Sequence, residues 1–146
     1  MDIKQAIYKR RSVRFFRNDK IGQETLVELI KDAQMAPSWA NSQPWHVYMA
    51  TGETLQQIKK THLEQATQGI RGKAEFSTMH REEWDNKARH NMGKWWSGIQ
   101  QFLQPNHTAE YPAAQSHLFN AQAIIYLAIP KNATYWTVFD LGAFAF

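Results

Sequence analysis

Arg10-Arg11-Ser12-Val13-Arg14-Phe15-Phe16 is the first of two stretches that decide the reading of this chain. The second, beginning 21 residues after Phe16, is Pro37-Ser38-Trp39-Ala40-Asn41-Ser42-Gln43-Pro44-Trp45. In the first, apolar and polar residues alternate from Arg11 onward, which predicts extended backbone. Alternate side chains of an extended segment share a face. Arg10, Ser12 and Arg14 therefore put two guanidiniums and a hydroxyl on one side. That donor set suits a phosphate or another oxyanion, because Arg offers forked, charge-assisted N–H groups and Ser a short O–H. It equally describes a solvated edge. In the second stretch two prolines stiffen a loop that carries Ser, Asn, Ser and Gln between two tryptophans. Amides beside aromatic faces suit a planar, hydrogen-bonding ligand. The alternative is a loop whose polar groups satisfy its own backbone while the tryptophans fill the core.

Charge concentrates at the first stretch. The net formal charge is +4, yet the first 20 residues carry +5 and the other 126 sum to −1. Basicity confined in this way points to an anion held at one place, or to a solvated basic face. It argues against a nucleic-acid binder, which spreads basic residues over a surface.

Periodicity organises the rest. Ile3, Ala6 and Ile7 place a helix over Asp2–Lys9. Leu26, Leu29, Ile30 and Ala33 form the stripe of a second over Gln23–Met35. Trp45–Ala50 reads as a strand. A helix from Glu53 to about Gln68 ends near Gly69 and Gly72. Trp84, Ala88 and Met92, with Trp95 and Trp96, are expected along one face of a further helix, which continues over Asn91–Leu103 as far as Pro105. A loop is expected from Pro105 to Pro112. Ala123–Ile129, the core of a run from Ala121, is continuously apolar and predicts a central strand buried on both faces. Tyr135–Phe146 is apolar and helix-competent. Five helices and two strands result, and a two-stranded sheet is marginal alone. Strands of a partner chain or further strands of this one are needed to complete it.

Composition sets the class. A chain of 146 residues, 43% hydrophobic and 21% charged, reads as a single globular domain over 1–146. The absence of cysteine excludes disulfides, thiolate catalysis and Cys-based metal sites. The six histidines are scattered without a His-x-x-x-His pair, so no metal site is expected. No apolar run approaches the roughly 20 residues of a membrane span, and MDIKQAIYKRR has no apolar signal core. A cytoplasmic location without membrane contact is expected. Two glycosylation triplets, Asn106-His107-Thr108 and Asn132-Ala133-Thr134, carry no meaning without export.

The two quoted stretches, in that order and at that separation, resemble the nitroreductase family of FMN-dependent oxidoreductases. The apolar run near Ala123–Ile129 and Asp140-Leu141-Gly142-Ala143-Phe144-Ala145 are similar to the family's central strand and the start of its long dimer-forming helix. The resemblance implies an α+β fold with helices packed around a mixed β-sheet, built as an intertwined homodimer. FMN would bind non-covalently at the subunit interface. By position, Arg10 and Ser12 would take the FMN phosphate and ribityl chain, with Arg11 as a further contact. Arg14 would sit near the pyrimidine edge, where a cation stabilises the anionic reduced ring. Pro37, Ser38, Trp39 and Asn41 would reach the flavin of the partner subunit, while Gln43, Pro44 and Trp45 shape the loop. Such enzymes take a hydride from NADH or NADPH and pass electrons to nitroaromatics, quinones or similar small molecules. No catalytic acid–base pair is expected. The same resemblance reads the chain as C-terminally truncated, covering about the first two-thirds of a family member, with weakened FMN affinity. Flavin binding without turnover is the alternative reading. The Trp84, Trp95 and Trp96 cluster is then either core or interface, or part of a substrate lid.

Overall fold

The computed structural model describes residues 2–103 and 110–145. Six helices and one pair of strands occur among them: α1 (Ile3–Lys9), α2 (Gln23–Ala33), β1 (His46–Ala50), α3 (Gly52–Thr67), α4 (Asn86–Leu103), α5 (Glu110–Ser116), β2 (Ile124–Ala128) and α6 (Tyr135–Ala145). The chain divides into two compact units. One comprises Met1–Phe15 with Lys59–Phe119, the other Phe16–Ile58 with Asn120–Phe146.

In the first unit, local chemistry explains where the helices start and stop. The Asp2 carboxylate accepts the Gln5 N–H at 2.7 Å and caps α1, satisfying one of the donors that a helix start leaves open. The C-terminal turn of α3 closes on Gly69 at φ 70°. There Ile70 N–H reaches the Gln65 carbonyl at 3.0 Å and Gly69 N–H the Ala66 carbonyl at 3.1 Å, the paired bonds of a Schellman ending. Asp85 accepts the Ala88 N–H at 2.7 Å and sets the start of α4. Trp84 therefore precedes the helix in extended backbone and does not share the α4 face expected for it. The buried side of α4 runs through Ala88, Met92, Ile99 and Leu103, while Trp95 and Trp96 stay exposed. The expected loop from Pro105 and the Asn106-His107-Thr108 triplet begin outside the described residues. From Glu110 the chain is helical where a loop was expected. Pro112 lies in the first turn of that helix, where a missing N–H leaves no bond unmade.

The second unit holds the sheet. β1 and β2 pair antiparallel, with Tyr48 opposite Tyr126 and Met49 opposite Ile125. Tyr48 and Tyr126 lie on the solvent face, whereas Val47 and Met49 are half-buried. β2 is half-buried rather than enclosed on both faces, because among the described residues it pairs with β1 alone. Leu26 of α2, Trp45, Ala50, Leu55 and Phe144 are the buried apolar residues of this unit. An apolar cavity of about 630 Å³ remains beside them, lined by Leu29, Ile30 and Ala33 of α2, Ile125 and Leu127 of β2 and Phe144 of α6. Gly52, at φ 54°, makes the reversal from β1 into α3 that a side chain would strain.

No helix among the described residues is long and apolar enough to cross a membrane.

Candidate functional site

The basic segment follows the C-terminus of α1 and belongs to neither helix nor strand from Arg10 to Phe16. Arg10 ends the helix, its N–H on the Ala6 carbonyl at 3.0 Å and its backbone at φ −54°, ψ 132°. Arg11 folds back: one guanidinium nitrogen donates to the Tyr8 and Arg10 carbonyls, both at 2.8 Å. A cation on the last carbonyls of a helix is favourable, since those acceptors have no intrahelical partner. Ser12 is exposed and Arg14 half-buried. The Arg14 guanidinium donates to the Ser12 carbonyl at 3.2 Å, and this bond curls the side chain over its own segment.

Ser12, Val13, Arg14 and Phe15 form one wall of a groove of about 580 Å³. α4 supplies the facing wall with Lys94, Trp95, Ile99 and Phe102, and Tyr111 of α5 contributes. The volume lies within the range of small-molecule sites, about 300–1,000 Å³. The groove combines two cations and a hydroxyl with several aromatic faces. Lys94 escaped sequence reading. Its neighbours Trp95 and Trp96 marked the region, but a lysine in an exposed helix reads as solvated surface.

The second set of expected residues belongs to the other unit. Its loop closes on itself: Asn41 N–H meets the Ser38 carbonyl and Ser42 N–H the Trp39 carbonyl, both at 3.0 Å. The Ser38 hydroxyl oxygen accepts the Gln43 N–H at 2.9 Å. Trp45 is buried against Phe144, with ring centroids 5.0 Å apart. To this extent the loop satisfies its own backbone and fills the core. Yet Trp39 is 67% exposed, and the Pro37 and Asn41 side chains also face solvent. Ala40, Asn41 and Gln43 hold left-handed backbone at φ 49°, 54° and 43°, a conformation L-residues disfavour. A long-range bond ties the loop to its unit, from Trp39 N–H to the Asp140 carboxylate at 3.0 Å. Sequence reading left Asp140 out of the site, although a lone acid in an apolar helix was the available signal. Among the described residues no cluster of three or more His, Cys, Asp or Glu side chains could hold a metal ion.

Comparison with known proteins converges on one family. The nitroreductase family model matches residues 7–145. The chain is similar to 4-nitrobenzoate reductase of Pseudomonas putida, 37% identical over 57 residues, covering 39% of this chain and 25% of that protein. It is also similar to nitroreductase NfnB of Mycolicibacterium smegmatis, 43% identical over 56 residues, covering 36% of this chain and 24% of that one. Among solved structures it resembles the FMN-dependent nitroreductase NfnB from Mycobacterium smegmatis in complex with NADPH, with a TM-score of 0.84 at 22% identity. That likeness covers 97% of this chain and 65% of the other, so the chain spans less than two-thirds of its solved neighbour. The fold is that of the neighbour, and with a family model matched along nearly its whole length the chain belongs to the nitroreductase family.

Proposed function

We propose that the protein is an FMN-dependent oxidoreductase, accepting a hydride from NAD(P)H and passing electrons to nitroaromatic, quinone or similar small acceptors. One observation carries this reading beyond family membership. The segment that presents Ser12 and Arg14 also walls a groove lined by Trp95, Phe102 and Tyr111. FMN offers a phosphate, a polyol chain and a flat hydrogen-bonding ring, and each unit by itself carries residues whose chemistry suits part of it. Arg10 and Ser12, with Arg11 beside them, suit the phosphate and polyol, since guanidinium and hydroxyl donors are the ones that oxyanions select, and Arg14 suits the pyrimidine edge of the ring. A guanidinium has five N–H donors, and among the described residues one Arg14 nitrogen donates to the Ser12 carbonyl. Trp39 offers an exposed ring face, Asn41 an exposed amide and Pro37 an exposed flank beside Ser38.

Bound FMN would supply the hydride and electron transfer, which is the cofactor's own chemistry. The chain's residues supply the rest. Arg14 brings a fixed positive charge, which favours a ligand ring that gains electrons. The walls of the groove exclude water from one side of whatever lies in it, and low polarity strengthens the charge interactions there.

The NADPH-bound neighbour supports the donor, and the 4-nitrobenzoate reductase similarity supports a nitroaromatic acceptor. The reading extends to one nitroreductase domain that works in the cytoplasm as a homodimer. Tyr135, Trp136 and Phe139 of α6, at 94%, 64% and 69% exposure, support that assembly, because a run of exposed aromatics marks an interaction surface. The test is direct. The protein is mixed with FMN, freed of excess by gel filtration and scanned in the visible. A flavin spectrum that stays with the protein, followed by NADPH oxidation dependent on 4-nitrobenzoate or a quinone, is expected. Flavin retained without oxidation of NADPH would support binding alone, and no retained flavin would refute the reading.

A further inference from the structure

α6 carries two buried side chains four residues apart, Asp140 and Phe144. That spacing puts them on one face of the helix. Both meet the Pro37–Trp45 loop, at opposite ends. The Asp140 carboxylate accepts the Trp39 N–H at 3.0 Å near its start, and the Phe144 ring packs on Trp45 at its end. Asp140, at 5% exposure, is the one buried charged residue among those described. A carboxylate withdrawn from water needs hydrogen bonds to offset its lost hydration, and the Trp39 amide provides a charge-assisted one.

Between the two anchors lie the left-handed residues Ala40, Asn41 and Gln43. Such backbone persists when its surroundings over-determine it. The bonds within the loop close the turn but do not aim it. The bond from Trp39, across 101 residues of sequence, joins the turn to a rigid helix at the residue whose ring is exposed.

We propose that Asp140 is a positioning residue for this loop. By holding the Trp39 amide it fixes the direction in which the Trp39 ring and the Asn41 amide project, and so raises FMN affinity without touching the cofactor. The proposal rests on the flavin reading above, and its test separates the two. Asp140→Ala, Asp140→Asn and wild-type protein are compared as full chains. The first measurement is hydrogen exchange at the Trp39 amide without FMN, referenced to the amides of β1. The second is the FMN Kd from quenching of flavin fluorescence.

Asn keeps a carbonyl oxygen where the carboxylate stood, and Ala does not. In D140A the Trp39 amide should exchange about tenfold faster and the FMN Kd should rise about tenfold, as for a lost bond to a charged group. D140N should return both close to wild type, a rescue that loss of packing alone would not predict. Unchanged Trp39 exchange or unchanged FMN affinity in D140A overturns the proposal, as does D140N behaving like D140A. Should D140A not fold, D140S replaces it. Its hydroxyl stops short of the amide, so FMN affinity equal to that of D140N would overturn the proposal. If the wild type binds no FMN, the flavin reading falls, while the exchange measurement still decides whether Asp140 anchors the loop.

Discussion

Phe144 and Phe139 present the same side chain from the same helix, five residues apart, at 6% and 69% exposure. Phe144→Ala removes a buried ring that packs against Trp45 and borders the apolar cavity between α2, β2 and α6. Truncating a core phenylalanine costs about 3–5 kcal/mol, the sum of lost transfer energy and the void left behind. Part of that is the aromatic pair, about 0.5–1.5 kcal/mol beyond area alone. An existing cavity beside the ring leaves less structure able to collapse into the gap, which favours the upper half of the range. For a chain of this length a kcal/mol moves Tm by about 3 °C, so F144A should melt about 12–15 °C below wild type. Phe139→Ala loses an edge-on contact with Trp136 at 6.0 Å on an exposed surface. It should cost less than about 1 kcal/mol at low protein concentration. If α6 is the dimer contact, the F139A deficit grows with concentration while the F144A deficit does not, since association stabilises by mass action. Thermal melts followed by far-UV circular dichroism at two protein concentrations check this. Equal, concentration-independent losses for the two variants would refute the assignment of Phe144 to the core and of Phe139 to the surface.

Arg14→Ala should weaken FMN binding about tenfold or more, as expected for a charged hydrogen-bond donor, and Arg14→Lys should recover only part of it because a point charge lacks the planar fork; a fluorescence titration reads both. Ala40→Gly should leave stability unchanged or raise it by up to about 1 kcal/mol, because glycine adopts φ 49° without strain. Ala40→Val should lower stability by more than about 1 kcal/mol, since a β-branched residue is least tolerated there, and urea unfolding of the pair gives the comparison.

Local chemistry made much of the fold legible. The spacing of Ile3, Ala6 and Ile7, the glycine at 69 and the period of Leu26, Leu29, Ile30 and Ala33 describe interactions among residues within a few positions, and those are what a linear reading detects. The misreadings share a cause. Pro105 and Pro112 suggest a loop ending at Pro112, but in the first turn of a helix a proline breaks nothing. The apolar period groups Trp84 with the α4 face, but the cap at Asp85 starts the helix after it. The Ala123–Ile129 run promised burial on both faces, but burial depends on what lies alongside, and β2 has one strand beside it among the described residues.

The candidate site divides in the same way. Sequence alone singled out the Arg10–Arg14 segment, of which Ser12 and Arg14 line the groove, and the polar loop between two tryptophans, because both depend on spacing within a few residues. Only the tertiary structure decided that Trp45 turns inward while Trp39 turns outward, that Lys94 lines the same groove as Arg14 and that Asp140 holds the Trp39 amide. Contacts between residues so far apart along the chain leave no period and no motif. They exist once the backbone has brought the two groups within hydrogen-bonding or van der Waals distance.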